Sequence, residues 1–148
     1  VPGVSFDPDA RGCLLVSCPR ISDHERLTTD LVELTSENSF IWLGRVDNVI
    51  KSGGLKLMPE TIEKKFSSCF SGRFFAAGLP DPELGEQLIF VVEGEPEIGL
   101  MNRLKTCQAQ SKGEITKNEI PKDIVFLAKF AETDSGKINR KMTLDLID

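Results

Sequence analysis

The sequence has a single histidine, His24, and four cysteines, Cys13, Cys18, Cys69 and Cys107, with no CxxC spacing among them. Without paired cysteines or a second histidine no zinc-ligand pattern can be assembled, and no metal site is expected. Long hydrophobic runs are also missing. The apolar run 88–92 falls far short of the ~20 residues a membrane span needs, and the N-terminus shows no basic-then-apolar signal pattern. A soluble, cytoplasmic protein with no membrane partner is expected. Nor is there a surplus of basic charge. The net charge is −5, with four basic and seven acidic side chains in residues 1–46 and fourteen and sixteen in residues 47–148. Nucleic acid binding needs a basic surface, so no nucleic acid partner is expected. The GxxxxGK[ST] phosphate loop is absent too, because Ile138 follows Lys137.

What is present suits a globular fold. At 148 residues and 40% hydrophobic, the chain has the size of one domain, or of one domain with an appendage, and enough apolar residues for a core. A chain so composed needs no covalent staple, and the cysteines are expected to be free buried thiols in a reducing compartment.

Short β-like runs open the chain at 4–6, 13–18, 31–34 and 40–43, separated by turn residues, which predicts hairpins. After a strand at 55–58, Pro59 stands at a first helical position, with Glu60 and Glu63 complementing the helix N-terminus. Ile62, Phe66 and Phe70 give that helix, running to about Cys69, one apolar stripe. Runs 73–79 and 87–93 predict paired strands joined by a proline- and glycine-bearing loop. A second helix is expected over 97–111, ended by Gly113, then a strand at 124–130 and a short amphipathic helix within 139–147. The order β-α-β-β-α-β-α predicts an α+β domain over 47–148: a small three-stranded sheet with both main helices crossing one face.

Three features call for more than folding. The adjacent glycines Gly53 and Gly54 sit in the charged segment from Gly44 to Lys56, where they permit positive φ and close approach of a ligand, or a plain turn. The turn Ser135-Gly136-Lys137 presents one lysine, a point cation suited to phosphate or carboxylate oxygens, or a solvated side chain. Thr28-Thr29-Asp30 precedes the strand at 31–34. There an aspartate can accept from the vicinal hydroxyls of a ribose, or cap a local turn.

Together these stretches resemble the adenylating superfamily of acyl-CoA ligases, peptide-synthetase adenylation domains and beetle luciferases. Residues 44–63 are similar to the hinge motif GRxDxxIKxxGxKxxPxEIE. Residues 77–86 resemble the G-x-P-D-x-x-x-G-E loop, residues 121–140 the closing lysine motif, and Thr29-Asp30-Leu31 the TGD region with threonine for glycine. Within the superfamily, residues 40–45 and Ser52-Gly53-Gly54 look most like o-succinylbenzoate-CoA ligases of menaquinone synthesis.

The resemblance implies an ATP-dependent acid-CoA ligase, AMP-binding and adenylate-forming. It implies a carboxylic acid, ATP with Mg2+ and CoA as reactants, Lys137 as the catalytic lysine and Asp30 and Arg45 on the ribose. Asp47 becomes the hinge, and Gly53, Gly54 and Lys56 lie along CoA. Residues 1–46 become the β-rich end of a large N-terminal domain and 47–148 its mobile lid. The Ser/Thr/Gly phosphate loop and the magnesium glutamate are not within these residues, so the chain by itself is expected to be inactive and to partner the missing domain. Residues 1–46 would then expose strand edges, leaving them poorly ordered, paired with a second copy, or folded back. The opposing reading is a non-catalytic module that binds a nucleotide, CoA or a protein.

Overall fold

A computed structural model describes residues 3–147. The chain divides into two compact units, Val1–Val49 and Ile50–Asp148.

The first unit is an antiparallel meander of β1 (Ser5–Pro8), β2 (Cys13–Ser17), β3 (Arg26–Ser36) and β4 (Ser39–Arg45), in that spatial order. Asp9 closes the first turn by accepting from the amides of Arg11 and Cys13, both at 2.8 Å. Cys13, Leu14, Leu31 and Val32 form its buried residues. Adjacent residues should face opposite sides of a strand, but the register slips between Leu31 and Val32, and such a bulge re-aims a side chain. Poor order is one of three alternatives expected for residues 1–46; residues 5–45 lie in these four strands and the turns between them. β3 is also longer than the expected 31–34 strand, because the Thr28 hydroxyl donates to the Leu14 carbonyl and draws Thr28, Thr29 and Asp30 into the ladder. Leu27, Leu34, Ile41 and Trp42 remain exposed.

In the second unit, β5 (Ile50–Ser52) and β6 (Leu55–Leu57) form a hairpin, followed by α1 (Pro59–Phe66) and a 3-10 turn at Ser67–Cys69. Next come β7 (Phe74–Asp81), β8 (Gly85–Glu93), α2 (Leu100–Gln110), β9 (Asp123–Leu127) and α3 (Arg140–Leu144). β8 pairs antiparallel with β7 and parallel with β9. A parallel neighbour requires a long crossover, which α2 and its flanking loops supply.

The sheet has five strands rather than the expected three. Gly53 and Gly54 close β5 onto β6, and the Ser52–Gly85 pairing joins that hairpin to the start of β8. The continuous run Leu88, Ile89, Phe90, Val91, Val92 is buried at every position, the pattern of a strand covered on both faces. On one face Leu88, Phe90 and Val92 meet Ile62 and Phe66 of α1 and Leu100 and Leu104 of α2. On the other, Ile89 and Val91 meet Phe75 and Phe130, with Ile138 and Leu144 packed against them.

Three boundaries are tighter than expected, one of them that of β9, which ends at Leu127 rather than at 130. α1 ends at Phe66, the chain tightening into the 3-10 turn before Cys69, and α2 starts only at Leu100, after Gly99 at φ +86°. The cysteine expectation also changes: Cys69 and Cys107 form a disulfide between that turn and α2, while Cys13 and Cys18 are free. Packing of α2 brings them together, since Arg103, on the preceding turn of α2, donates to the Cys69 carbonyl at 3.0 and 3.2 Å. Among the described residues no helix is long and apolar enough to cross a membrane.

Candidate functional site

In the first unit Asp30 of β3 lies directly opposite Arg45 of β4. The indole nitrogen of Trp42 donates to Asp30 Oδ1 at 3.2 Å, and the Arg45 guanidinium donates to the Thr29 hydroxyl at 2.5 Å. Both ribose candidates therefore share one patch of sheet, braced by Trp42 and Thr29, which the sequence reading left without roles. Thr29, where the TGD motif has glycine, fits here as a β-branched strand residue with a hydroxyl for Arg45. Asp47 is exposed in a single 3-10 turn, Val46–Asn48.

In the second unit Gly53 (φ +57°) and Gly54 (φ +81°) form a two-residue hairpin loop. Positive φ at both central positions is the type I′ requirement that glycine meets without strain. A side chain at Gly54 would meet nothing within 4 Å, so the space over it is open. The proline-aspartate loop after β7 supports this turn from behind. Asp81 accepts from the amides of Glu83 and Leu84, and the Leu84 carbonyl accepts from Gly53 at 2.9 Å. Glu86 accepts from the Lys51 amide at 2.6 Å. Gly78 makes room for it, since a Cβ there would stand 2.8 Å from Glu86 Oε1. Lys51 and Lys56 are cross-strand partners and both exposed, a like-charge pair that costs stability until an anion relieves it.

Lys137 sits at the tip of a second hairpin. Glu132 bridges Ile138 across it, the Thr133 amide donates to the Lys137 carbonyl at 2.8 Å, and the Thr133 hydroxyl accepts from the Lys137 amide at 3.2 Å. Gly136, at φ +78°, makes the turn, with nothing within 4 Å of a would-be Cβ. The Lys137 ammonium is exposed, and no hydrogen bond or ion pair to it is seen among the described residues.

The base of this hairpin is braced by charges. Arg73 donates to both carboxylate oxygens of Glu93, at 3.0 and 2.6 Å, and pairs with Glu132 at 2.6 Å. These contacts and the Phe130 amide hold the Glu93 carboxyl below its ordinary value of 4.5, with Lys129 adding a smaller push, and the same contacts raise Arg73. A folded-state pKa below the unfolded one gives stability that is complete above 4.5 and lost as pH falls through the depressed value. Glu93→Gln is therefore expected to flatten the acid limb of stability, read as the urea midpoint between about pH 7 and about pH 3. An acid limb as steep as the parent's would rule out this account.

The structure does not bring Lys137 and the glycine turn together. The turn joins β8 at Gly85, whereas the Lys137 hairpin is braced through Glu93 at its other end. Eight residue steps at about 3.4 Å separate those ends by about 27 Å. Among the described residues no three His, Cys, Asp or Glu side chains converge as a metal site would require.

No family model matches the chain. It is 33% identical over 118 residues to YhfT of Bacillus subtilis, an uncharacterised acyl-CoA ligase, covering 78% of this chain and 23% of that protein. An acyl-CoA synthetase (AMP-forming)/AMP-acid ligase II-like protein from Dyadobacter fermentans superposes with TM-score 0.59 at 33% identity, covering 98% of this chain and 42% of the other. Its relatives are AMP-forming acyl-CoA ligases. The chain spans less than half the length of either of these two ligases. The o-succinylbenzoate CoA synthetase of Bacillus subtilis, solved with its acyl-adenylate intermediate, shares the fold at TM-score 0.73 and 18% identity, over 98% of this chain and 33% of that one.

Proposed function

We propose that this chain is the C-terminal portion of an ATP-dependent acid-CoA ligase whose two half-reactions use opposite ends of the second unit. The observation that carries the reading is that the Lys137 hairpin and the glycine turn are anchored at opposite ends of β8: two groups so held are suited to serve one reacting centre in turn rather than together. In the first half-reaction a substrate carboxylate oxygen attacks the α-phosphorus of ATP and the bond to pyrophosphate breaks. Lys137, exposed and with no carboxylate partner seen among the described residues, orients the incoming carboxylate against the phosphate and stabilises the charge that develops. Asp30 and Arg45 hold the ribose hydroxyls.

In the second half-reaction the CoA sulfur, losing its proton, attacks the acyl carbon, and AMP leaves. The open space over Gly54 passes the pantetheine arm. Lys56, with Lys51 opposite, meets the phosphates. Asp47, in its exposed turn, is the hinge between residues 1–46 and the lid. Among the described residues no three His, Cys, Asp or Glu side chains converge to hold the magnesium that accompanies ATP, and no step is assigned to it.

The acid we favour is o-succinylbenzoate, which would place the enzyme in menaquinone synthesis. Residues 40–45 and the Ser52-Gly53-Gly54 form of the hinge motif support that choice. The test is ATP–pyrophosphate exchange by the complete enzyme with o-succinylbenzoate, other aromatic acids and fatty acids. Exchange with o-succinylbenzoate is expected. Exchange with other acids alone would replace the substrate and keep the reaction. Exchange with none would overturn the ligase reading in favour of a binding module.

A further inference from the structure

Among the described residues, the hydrogen bonds of the tip that carries Lys137 run between Thr133, Ser135, Gly136 and Lys137. Residues 132–137 are exposed, so the direction in which the lysine points is inherited from the base of the hairpin. Two arginines grip that base, one on each side. On the incoming side Arg73 holds Glu132 while its other nitrogens hold Glu93, and Glu93 Oε2 also accepts from the Phe130 amide at 2.7 Å. On the outgoing side Arg140 makes a two-pronged contact with Glu63 of α1, at 2.5 and 2.9 Å, and donates to the Ala76 carbonyl at 3.2 Å. Glu63 in turn accepts from the Ala76 amide at 2.9 Å.

These two grips are joined through the core. The Arg73 guanidinium lies 5.7 Å from the Phe130 ring centre and that of Arg140 lies 5.3 Å from Phe75. The two rings meet edge to face at 5.2 Å. A continuous line of contacts thus runs from Glu132 through Arg73, Phe130, Phe75 and Arg140 to Glu63, tying both feet of the hairpin to the sheet and to α1. Planar guanidinium forks suit such two-pronged contacts, and a lysine cannot make both prongs.

We propose that Arg73 and Arg140 are positioning residues for Lys137, acting through Glu132 and Glu63 to fix where its ammonium stands during adenylation. This rests on the assignment of Lys137 to the first half-reaction. A misplacement of about 1 Å is enough to cost up to about a hundredfold in rate, so loosening one foot lowers adenylation without emptying the site.

The test uses the complete ligase with Lys137→Ala, Glu132→Gln, Arg73→Lys and Arg140→Lys, and two separate readouts: ATP–pyrophosphate exchange, and thioester formation from supplied acyl-adenylate. Glu132 is on the surface, so Glu132→Gln keeps the fold even where an arginine variant does not. The expected result is a loss of about tenfold or more in exchange for Glu132→Gln and at least one arginine variant, a much smaller loss in the thioester step, and faster amide exchange at residues 135–138 but not in β7 or β8. Exchange lost in Lys137→Ala but kept in Glu132→Gln and both arginine variants would overturn the positioning role alone. Equal losses in both half-reactions would overturn it as well, since they mark a structural role. Exchange kept in Lys137→Ala would overturn the assignment beneath it.

Discussion

Lys137→Ala is expected to lower ATP–pyrophosphate exchange by the complete ligase by about a hundred- to a thousandfold, the usual loss when one preorganised electrostatic contact to a transition state is removed. The structure makes this substitution unusually clean to interpret. The ammonium is exposed and the hairpin's hydrogen bonds use backbone atoms and the Thr133 and Ser135 hydroxyls, all of which alanine retains. Thermal stability should therefore change by no more than about 0.5 kcal/mol, and the loss of rate is chemical. Thioester formation from supplied acyl-adenylate should persist, because the proposed function assigns that step to the glycine turn, anchored at the other end of β8. A substitution that left exchange at the parent rate would remove Lys137 from the mechanism. One that abolished both steps would mean that the two faces do not alternate.

The second large effect concerns the strand on which both faces hang. Phe90→Ala is expected to destabilise the second unit by about 3–5 kcal/mol, from lost transfer energy and the cavity left behind. Phe90 is fully buried and contacts the rings of Phe66, Phe70 and Phe74, at 5.2, 6.0 and 5.5 Å between centres. For a domain of this size each kcal/mol lowers the melting temperature by roughly 4–8 °C, so calorimetry should show a shift well above ten degrees. Ile98, fully exposed in the loop before α2, is the control: Ile98→Ala should stay within about 0.5 kcal/mol of the parent. Equal melting of the two variants would show that the helical face of β8 is not packed as described.

Much of this was legible in the sequence, for reasons that particular residues make plain. The apolar run of β8, Pro59 at the start of α1 and the stripe through Ile62 and Phe66 are local signals, and the elements they predict are present. A turn at Gly53 and Gly54 was legible, though the strand before it, β5, was not. Nor was it legible that the hairpin adds two strands to the sheet, because the pairing of Ser52 with Gly85 spans 33 positions and leaves no periodic trace. The Cys69–Cys107 disulfide was hidden likewise, at a separation of 38, its formation decided by where α2 lies across the sheet.

The candidate site divides in the same way. Lys137, Asp30, Arg45 and the glycines lie in motifs that can be read along the chain. Their supports do not: Trp42 and Thr29 beside Asp30 and Arg45, and Arg73 with Glu93 and Glu132 below Lys137, become neighbours only through strand register. Glu63 and Arg140, which end two separate motifs, are likewise brought together only by the fold.

Because one buried strand anchors both of the tips to which the proposed function assigns chemistry, changes within it cannot tell them apart: a softened β8 blurs the lysine hairpin and the glycine turn at once. Variants that uncouple adenylation from thioester formation are to be sought in the appendages, at residues 132–140 for the first step and 51–56 with 80–86 for the second. A library confined to those surface segments should yield enzymes stalled at the adenylate, or dependent on an adenylate supplied from outside, where random mutation of the core would yield only unstable ones.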